Sequence, residues 1–286
     1  MLLSEQFYQT EKTGYLNEQF RLFHLKDQTR KEFSYHYHDF HKVVIFISGK
    51  AAYHIEGKAY QLKPWDILLV NRHAILRAEI DPSVPYDRFI LLIENDSRWQ
   101  ELLKCFQKAN DRSYNLVRLN SALQEKMKDI LFELENSAKS DEYGREILTQ
   151  SLFLQFMVYL NRIFLEKQYI FDKKSYTFDS QIASILQYIN HNLKEDLSVE
   201  TLSARYYVSK YHLMRKFKQE TGYTLHNYIV NKRLLMARTL ISNGMPVTKA
   251  AQESGFAEYS TFSRAYRKQF KTNPSEELPH YSNPLK

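Results

Sequence analysis

Two copies of one helical plan within residues 197–270 constrain this chain more than any other feature of its sequence. In the first copy, Ser198 precedes a short helical run over 201–206, and its hydroxyl is suited to accept a backbone N–H at the helix start. A break follows at Tyr207 and Val208, and Ser209 offers a second N-cap. The next helix is expected from Lys210 to about Glu220, closed by Gly222. Leu213 and Phe217 lie four apart and share its inner face. Tyr211, Met214, Arg215 and Lys218 are left on the other side. A short helix, a tight turn and a second helix with a polar stripe form an arrangement that reads DNA.

The second copy places a short helix over 247–254, a turn at Gly255 and a helix from about Glu258 to Phe270. Phe262, Tyr266 and Phe270 recur every four residues and are expected in the core. Glu258, Tyr259, Ser260, Ser263, Arg264 and Arg267 fall outward or at the flank. Arg215 matches Arg264 and Phe217 matches Tyr266, about 49 positions apart, and such a repeat is harder to obtain by chance than one motif. Residues 225–241 form one helical pattern between the copies, with Tyr228, Ile229, Leu234, Ala237 and Leu240 on its apolar side. About 17 residues span about 25 Å, a size that could hold two reading heads near one duplex turn of about 34 Å.

Two helix pairs packed for stability alone would show the same periodicity, so charge has to separate the readings. Residues 176–286 carry 15 Lys and Arg against 9 Asp and Glu, net +6, whereas residues 1–175 carry 25 against 24. Nearly all of the chain's +7 therefore lies in the repeated segment, as a polyanionic partner requires.

Residues 181–284 resemble the DNA-binding domain of AraC/XylS-type bacterial transcription regulators. The resemblance is carried by Ser209, Leu213, Arg215, Phe217, Lys218, Gly222 and Tyr228, then by Arg233 and Ala237 on the joining helix. Gly255, Phe256, Phe262, Ser263, Arg264, Phe270 and Pro274 complete it. Two departures are Asn273 before Pro274, where the family usually has glycine, and the bulky pair Tyr206 and Tyr207 in the first turn. The implied contacts are Arg215 and Arg264 to bases or phosphates. Tyr211, Met214, Tyr259 and Ser260 are expected at base edges, with Glu258 and Ser263 beside them. Lys210, Lys218, Arg267 and Lys268 are expected on phosphates.

Upstream, residues 20–95 read as short strands separated by turns at Gly57 and at Pro64 to Asp66, which suggests a β-sandwich or small barrel. This region resembles the cupin-type sensor barrel that precedes the DNA-binding domain in many AraC-type regulators. The carriers are His36, Tyr37, His38, Asp39 and Phe40, then Gly49, Gly57 and the run Pro64 to Leu69. Pro-Trp-Asp stands where the family usually has Pro-Gly-Asp. His36 and His38 alternate, so on a strand they point to one side. Metal-binding cupins add a glutamate and a third histidine at positions that align with Lys42 and Leu76. Neither is a ligand, so no metal or other cofactor is expected. Lys42 beside His36 and His38 would instead favour an anionic or hydroxyl-rich effector.

Residues 97–110, 116–138 and 142–167 are helical patterns. The run Leu152 to Val158 is apolar on nearly all sides, which suits a helix buried on both flanks. One flank can face the barrel and the other a second subunit, as helices here do in the family. Charged residues at 169–179 break the period and read as a linker.

The single cysteine, Cys105, permits no internal disulfide and suits a reducing cytoplasm. No secretory signal or 18-residue apolar span is evident. The expected architecture is an α+β multidomain chain. A cupin-like β-barrel covers 1–96, dimerisation helices 97–168 and a linker 169–180, and an all-α double helix-turn-helix domain covers 181–286. The expected function is regulation of transcription, not catalysis. The partners would be double-stranded DNA, a small-molecule effector such as a sugar, a second copy of the chain and RNA polymerase, with no membrane partner. The rival reading is a cupin-type metalloenzyme acting on a small metabolite, and a second rival is an architectural protein without sequence choice.

Overall fold

The computed structural model of this chain describes residues 14–16, 20–28, 33, 35–38, 40–94, 97–172 and 176–277. They divide into two compact units between Phe178 and Asp179.

The first unit contains β1 (Gly14–Leu16), β2 (Phe20–Asp27), β3 (His41–Ser48), β4 (Ala51–Ile55) and β5 (Lys58–Gln61). It continues with β6 (Ile67–Val70), β7 (Leu76–Ile80), β8 (Tyr86–Ile93), β9 (Leu116–Val117) and β10 (Tyr176–Phe178). As expected of a cupin-like β-sandwich, the strands form two antiparallel sheets, ordered β1-β2-β8-β3-β6-β9 and β10-β5-β4-β7. The chain crosses from one sheet to the other at Gly49, between β3 and β4. There φ is +116°, and a Cβ would sit 2.8 Å from the Pro85 carbonyl oxygen. Only glycine fits this corner without displacing backbone.

Strand β3 is apolar on both faces because both are covered. Val44 and Phe46 join Tyr53, Ile55, Tyr60 and Leu76 in a core between the sheets. Val43 and Ile45 face the other way, into a core shared with helices. Those helices are α1 (Lys104–Asp111), α2 (Ser121–Lys139) and α3 (Arg145–Leu165), with a 3-10 turn at Ser97–Leu103.

One expectation about these helices needs correction. The helix expected from 116 begins at Ser121, because Leu116 and Val117 pair with β6 and the Asn120 side chain caps the Leu123 N–H. Helix α3 buries within this unit the flank expected to face the strands. Phe153, Phe156, Met157, Leu160 and Phe164 are inside, with Phe153 stacked on Phe20 at 3.9 Å, whereas Ile147, Leu148 and Val158 are exposed. The segment expected as a linker also carries structure, since Tyr176–Phe178 pairs with β5. Residues 173–175, like Asp39 and residues 278–284, lie outside the described residues.

The second unit is helical: α4 (Ser180–His191), α5 (Val199–Arg205), α6 (Lys210–Thr221), α7 (Leu225–Ser242), α8 (Val247–Glu253) and α9 (Tyr259–Phe270), then a 3-10 turn at Pro274–Glu277. Ile182, Ile185, Leu186 and Ile189 of α4 are buried with Leu202, Leu213 and Phe217. Leu234, Ala237 and Ile241 of α7 pack with Ala250, Ala251, Phe262 and Tyr266.

Candidate functional site

Helix α6 is held by its ends and its inner face. The Ser209 hydroxyl accepts the His212 N–H, and Gly222 closes the other end at φ +75°. Phe217 meets Tyr228 edge to face at 5.3 Å, and the Tyr228 hydroxyl donates to Asn190. With Leu213 and Phe217 fixed inside, the 3.6-residue period turns Tyr211, Met214, Arg215 and Lys218 outward. All are exposed, as is Lys210, although its ammonium is paired with Glu200 at 2.6 Å. Lys216, the remaining cation of the helix, instead pairs with Asp179 at 3.3 Å and Glu220 at 3.5 Å. Asp179 caps α4 through the Ile182 N–H, so Lys216 ties the reading helix to the helix beneath it.

Helix α9 repeats the inner face but not the ends: Glu258 makes no side-chain cap bond, and Lys271 takes the closing place at φ +64°. Phe262 and Tyr266 are fully buried, while Glu258, Tyr259, Ser260, Arg264, Arg267 and Lys268 are exposed and Ser263 is half-buried. Phe270, expected in the core, is only half-buried. It sits at the helix end, where Tyr266 covers one side and the Arg238 guanidinium lies 4.8 Å from its ring.

The two heads are joined by more than α7. Arg233 of α7 donates to the Leu193 carbonyl at 2.8 Å and to the Glu195 carbonyl at 2.7 Å, on the segment entering the first head. The turn of the second head presses on the same segment. Gly255 has φ +88°, and a Cβ there would stand 2.3 Å from the Leu193 oxygen and 2.8 Å from Arg233 Nε. Lys194 and Glu253 add an ion pair at 2.8 Å. Sequence reasoning named Arg233 and Gly255 but not this role, which depends on a carbonyl 40 residues upstream of Arg233.

In the first unit the structure brings together the three residues expected at the effector site. Lys42 is buried on β3, opposite Val70 and Leu92, on the same side of the strand as Val44 and Phe46. That side faces the space between the sheets. The His36 and His38 rings meet edge-on at 4.9 Å, and His38 stacks on Phe40 at 4.7 Å. His36 pairs through its backbone with Leu76, the position aligned with a third cupin histidine. Burial first, then Lys42 and His36, drive the His38 imidazole from 6.5 down to about 2. Among the described residues, no three His, Cys, Asp or Glu side chains gather as a metal set.

A second arrangement nearby was not evident in the sequence. Asp66, buried within the Pro-Trp-Asp turn, accepts both Nε and Nη2 of Arg118 at 2.8 and 2.6 Å. Arg118 Nη1 reaches Asp172 at 2.9 Å. The partners lie more than 50 residues apart, and no local pattern marks them. Trp65 takes the glycine place of that turn at φ +69°, and Lys128 lies 4.6 Å from its ring.

Residues 22–157 match the family model of the AraC-like ligand binding domain, and residues 202–278 match that of a helix-turn-helix domain. The chain belongs to the AraC/XylS-type transcription regulators. Among curated relatives of this regulator, the HTH-type transcriptional activator RhaS of Klebsiella pneumoniae (strain 342) is 23% identical over 249 residues, covering 85% of this chain and 87% of its own. The HTH-type transcriptional activator RhaR of Mannheimia succiniciproducens is 23% identical over 248 residues, covering 85% and 86%. Among solved structures, ToxT from Vibrio cholerae is 16% identical, covering 91% of this chain and 97% of its own at a TM-score of 0.35. For a regulator of this family, the outer faces of α6 and α9 are the candidate DNA interface and the cluster of His36, His38 and Lys42 is the candidate effector site.

Proposed function

We propose that this regulator is an effector-responsive transcription activator that works in the cytoplasm as a homodimer. The observation that carries the reading is the pair of exposed basic helix faces, each backed by its own aromatic core and joined through Arg233. Arg215 and Arg264 read base edges. Tyr211, Met214, Glu258, Tyr259, Ser260 and Ser263 line the same faces. Lys218, Arg267 and Lys268 meet phosphates. Lys210 does so after releasing Glu200, an exchange between surface partners of low net cost.

His36, His38 and Lys42 bind the effector. Two imidazoles and a buried ammonium suit an anionic or polyhydroxylated small molecule, whose charge and hydroxyls would be satisfied there. The exposed apolar flank of α3 faces a second copy of the chain. As an activator, the DNA-bound dimer would recruit RNA polymerase.

The test is selection of bound fragments from genomic DNA with the purified protein at near-physiological salt. A recurrent site with two short blocks about one helical turn apart is expected. Retention of DNA with no shared sequence, with and without candidate effectors from the neighbouring genes, would leave non-specific compaction as the better description. For the metalloenzyme rival, stoichiometric iron, manganese or zinc lost on replacing His36 and His38 would be decisive in its favour.

A further inference from the structure

The two reading heads turn their corners with the same backbone and different residues. After α5, the Tyr207 N–H bonds the Ala204 carbonyl and the Val208 N–H reaches back to Ser203. After α8, the Gly255 N–H bonds Gln252 and the Phe256 N–H reaches back to Ala251. Both are helix closures whose pivot residue must be left-handed, the position that glycine normally fills. Gly255 meets that demand at φ +88° and Tyr207 meets it at φ +52°.

An L side chain in this conformation is strained by its own Cβ. Burial can compensate such strain, but Tyr207 is 96% exposed, so its ring packs on almost nothing in its own chain. A strained residue that contributes no packing points to a use outside the fold. The neighbouring surface says what that use is. Tyr207 stands two residues before Ser209, the cap of α6, and the next exposed apolar side chains along the chain are Tyr211 at 74% and Met214 at 46%. In this motif the first helix crosses the phosphate backbone while the second enters the groove. The turn between them therefore lies at the groove rim, over the sugar–phosphate chain.

We infer that Tyr207 is a DNA contact outside the reading helices, packing its ring on a deoxyribose and donating its hydroxyl to a phosphate oxygen. The inference rests on the DNA-reading assignment of α6. Such a contact is neutral. It adds affinity without releasing a counterion, and it positions the head without reading sequence. The second head, with glycine in the matching place, lacks it.

The test measures binding of full-length Y207G, Y207F and R215A to a selected site and to its single-base variants, across a range of salt. Y207G suits the backbone, so its melting temperature is expected to stay level or rise. Its affinity is expected to fall about ten-fold on every sequence, with an unchanged slope of log affinity against log salt. Y207F should lose about three-fold, the hydroxyl's share. Wild-type affinity for Y207G, with R215A impaired, would overturn the assignment of Tyr207 alone. Wild-type affinity for both variants would overturn the α6 interface and Tyr207 with it. A Y207G loss confined to one base pair would overturn the backbone contact.

Discussion

His38 is buried among His36, Phe40 and Lys42, and the fold keeps it neutral at pH values where an ordinary histidine is charged. Its folded value of about 2 lies below the unfolded value of 6.5, so the unfolded chain binds the proton first as pH falls. The stability it preserves is therefore fully present above about pH 6.5 and declines below it, by about 1.4 kcal/mol per pH unit. Urea melts at pH 7.5 and 5.0 should show a loss of about 2 kcal/mol beyond the background change. The His38→Gln variant should lack that increment, and an identical difference in both proteins would show that His38 does not titrate this way. The alternation of His36 and His38 with Lys42 was legible in the sequence. The ion pair of Asp66 with Arg118 was not, because only the folded sheet brings β9 beside the turn after β5.

Helices α6 and α9 were legible almost residue by residue: in α6 the Ser209 cap, the closing Gly222 and the four-residue apolar period agree, and in α9 the four-residue aromatic period alone marks the inner face. The strands were legible as strands, but their partition into two sheets was not. Burial on both faces of β3 erases the alternation that would reveal which residues point to which sheet. The start of α2 was missed for a related reason. Leu116, Val117 and Leu119 fit the apolar stripe of the following helix, yet Asn120 caps it and the first two form a strand. The reading faces also divide by chemistry. Arg215→Ala should cost roughly 1–3 kcal/mol on the preferred site and less on its variants, relaxing specificity. Lys218→Ala should weaken all sites alike and lower the salt slope by about 1. Parallel titrations at several salt concentrations would separate the two, and equal losses from Arg215→Ala on every sequence would move that arginine to the backbone.

At the scale of the molecule, the dimer reading predicts where association can be broken without unfolding. Ile147 is 73% exposed on α3 and Val158 is 38% exposed on the same helix, while the opposite flank is filled by Phe153 and Met157. Replacing Ile147 and Val158 together with lysine removes apolar area only from the outside. Sedimentation of the variant at micromolar concentration should show monomers with an unchanged thermal melt. A variant that stays dimeric would place the subunit contact elsewhere. The joint at Leu193 has a different reach. Arg233 grips its carbonyl, and Gly255 sits so close to it that no side chain fits between them. Rigid coupling of this kind makes the domain a gauge of length and phase. One base pair inserted between the two halves of an operator shifts the far half by about 3.4 Å and turns it by about 35°. A jointed protein would absorb that offset, whereas this one must bend the duplex or release one half.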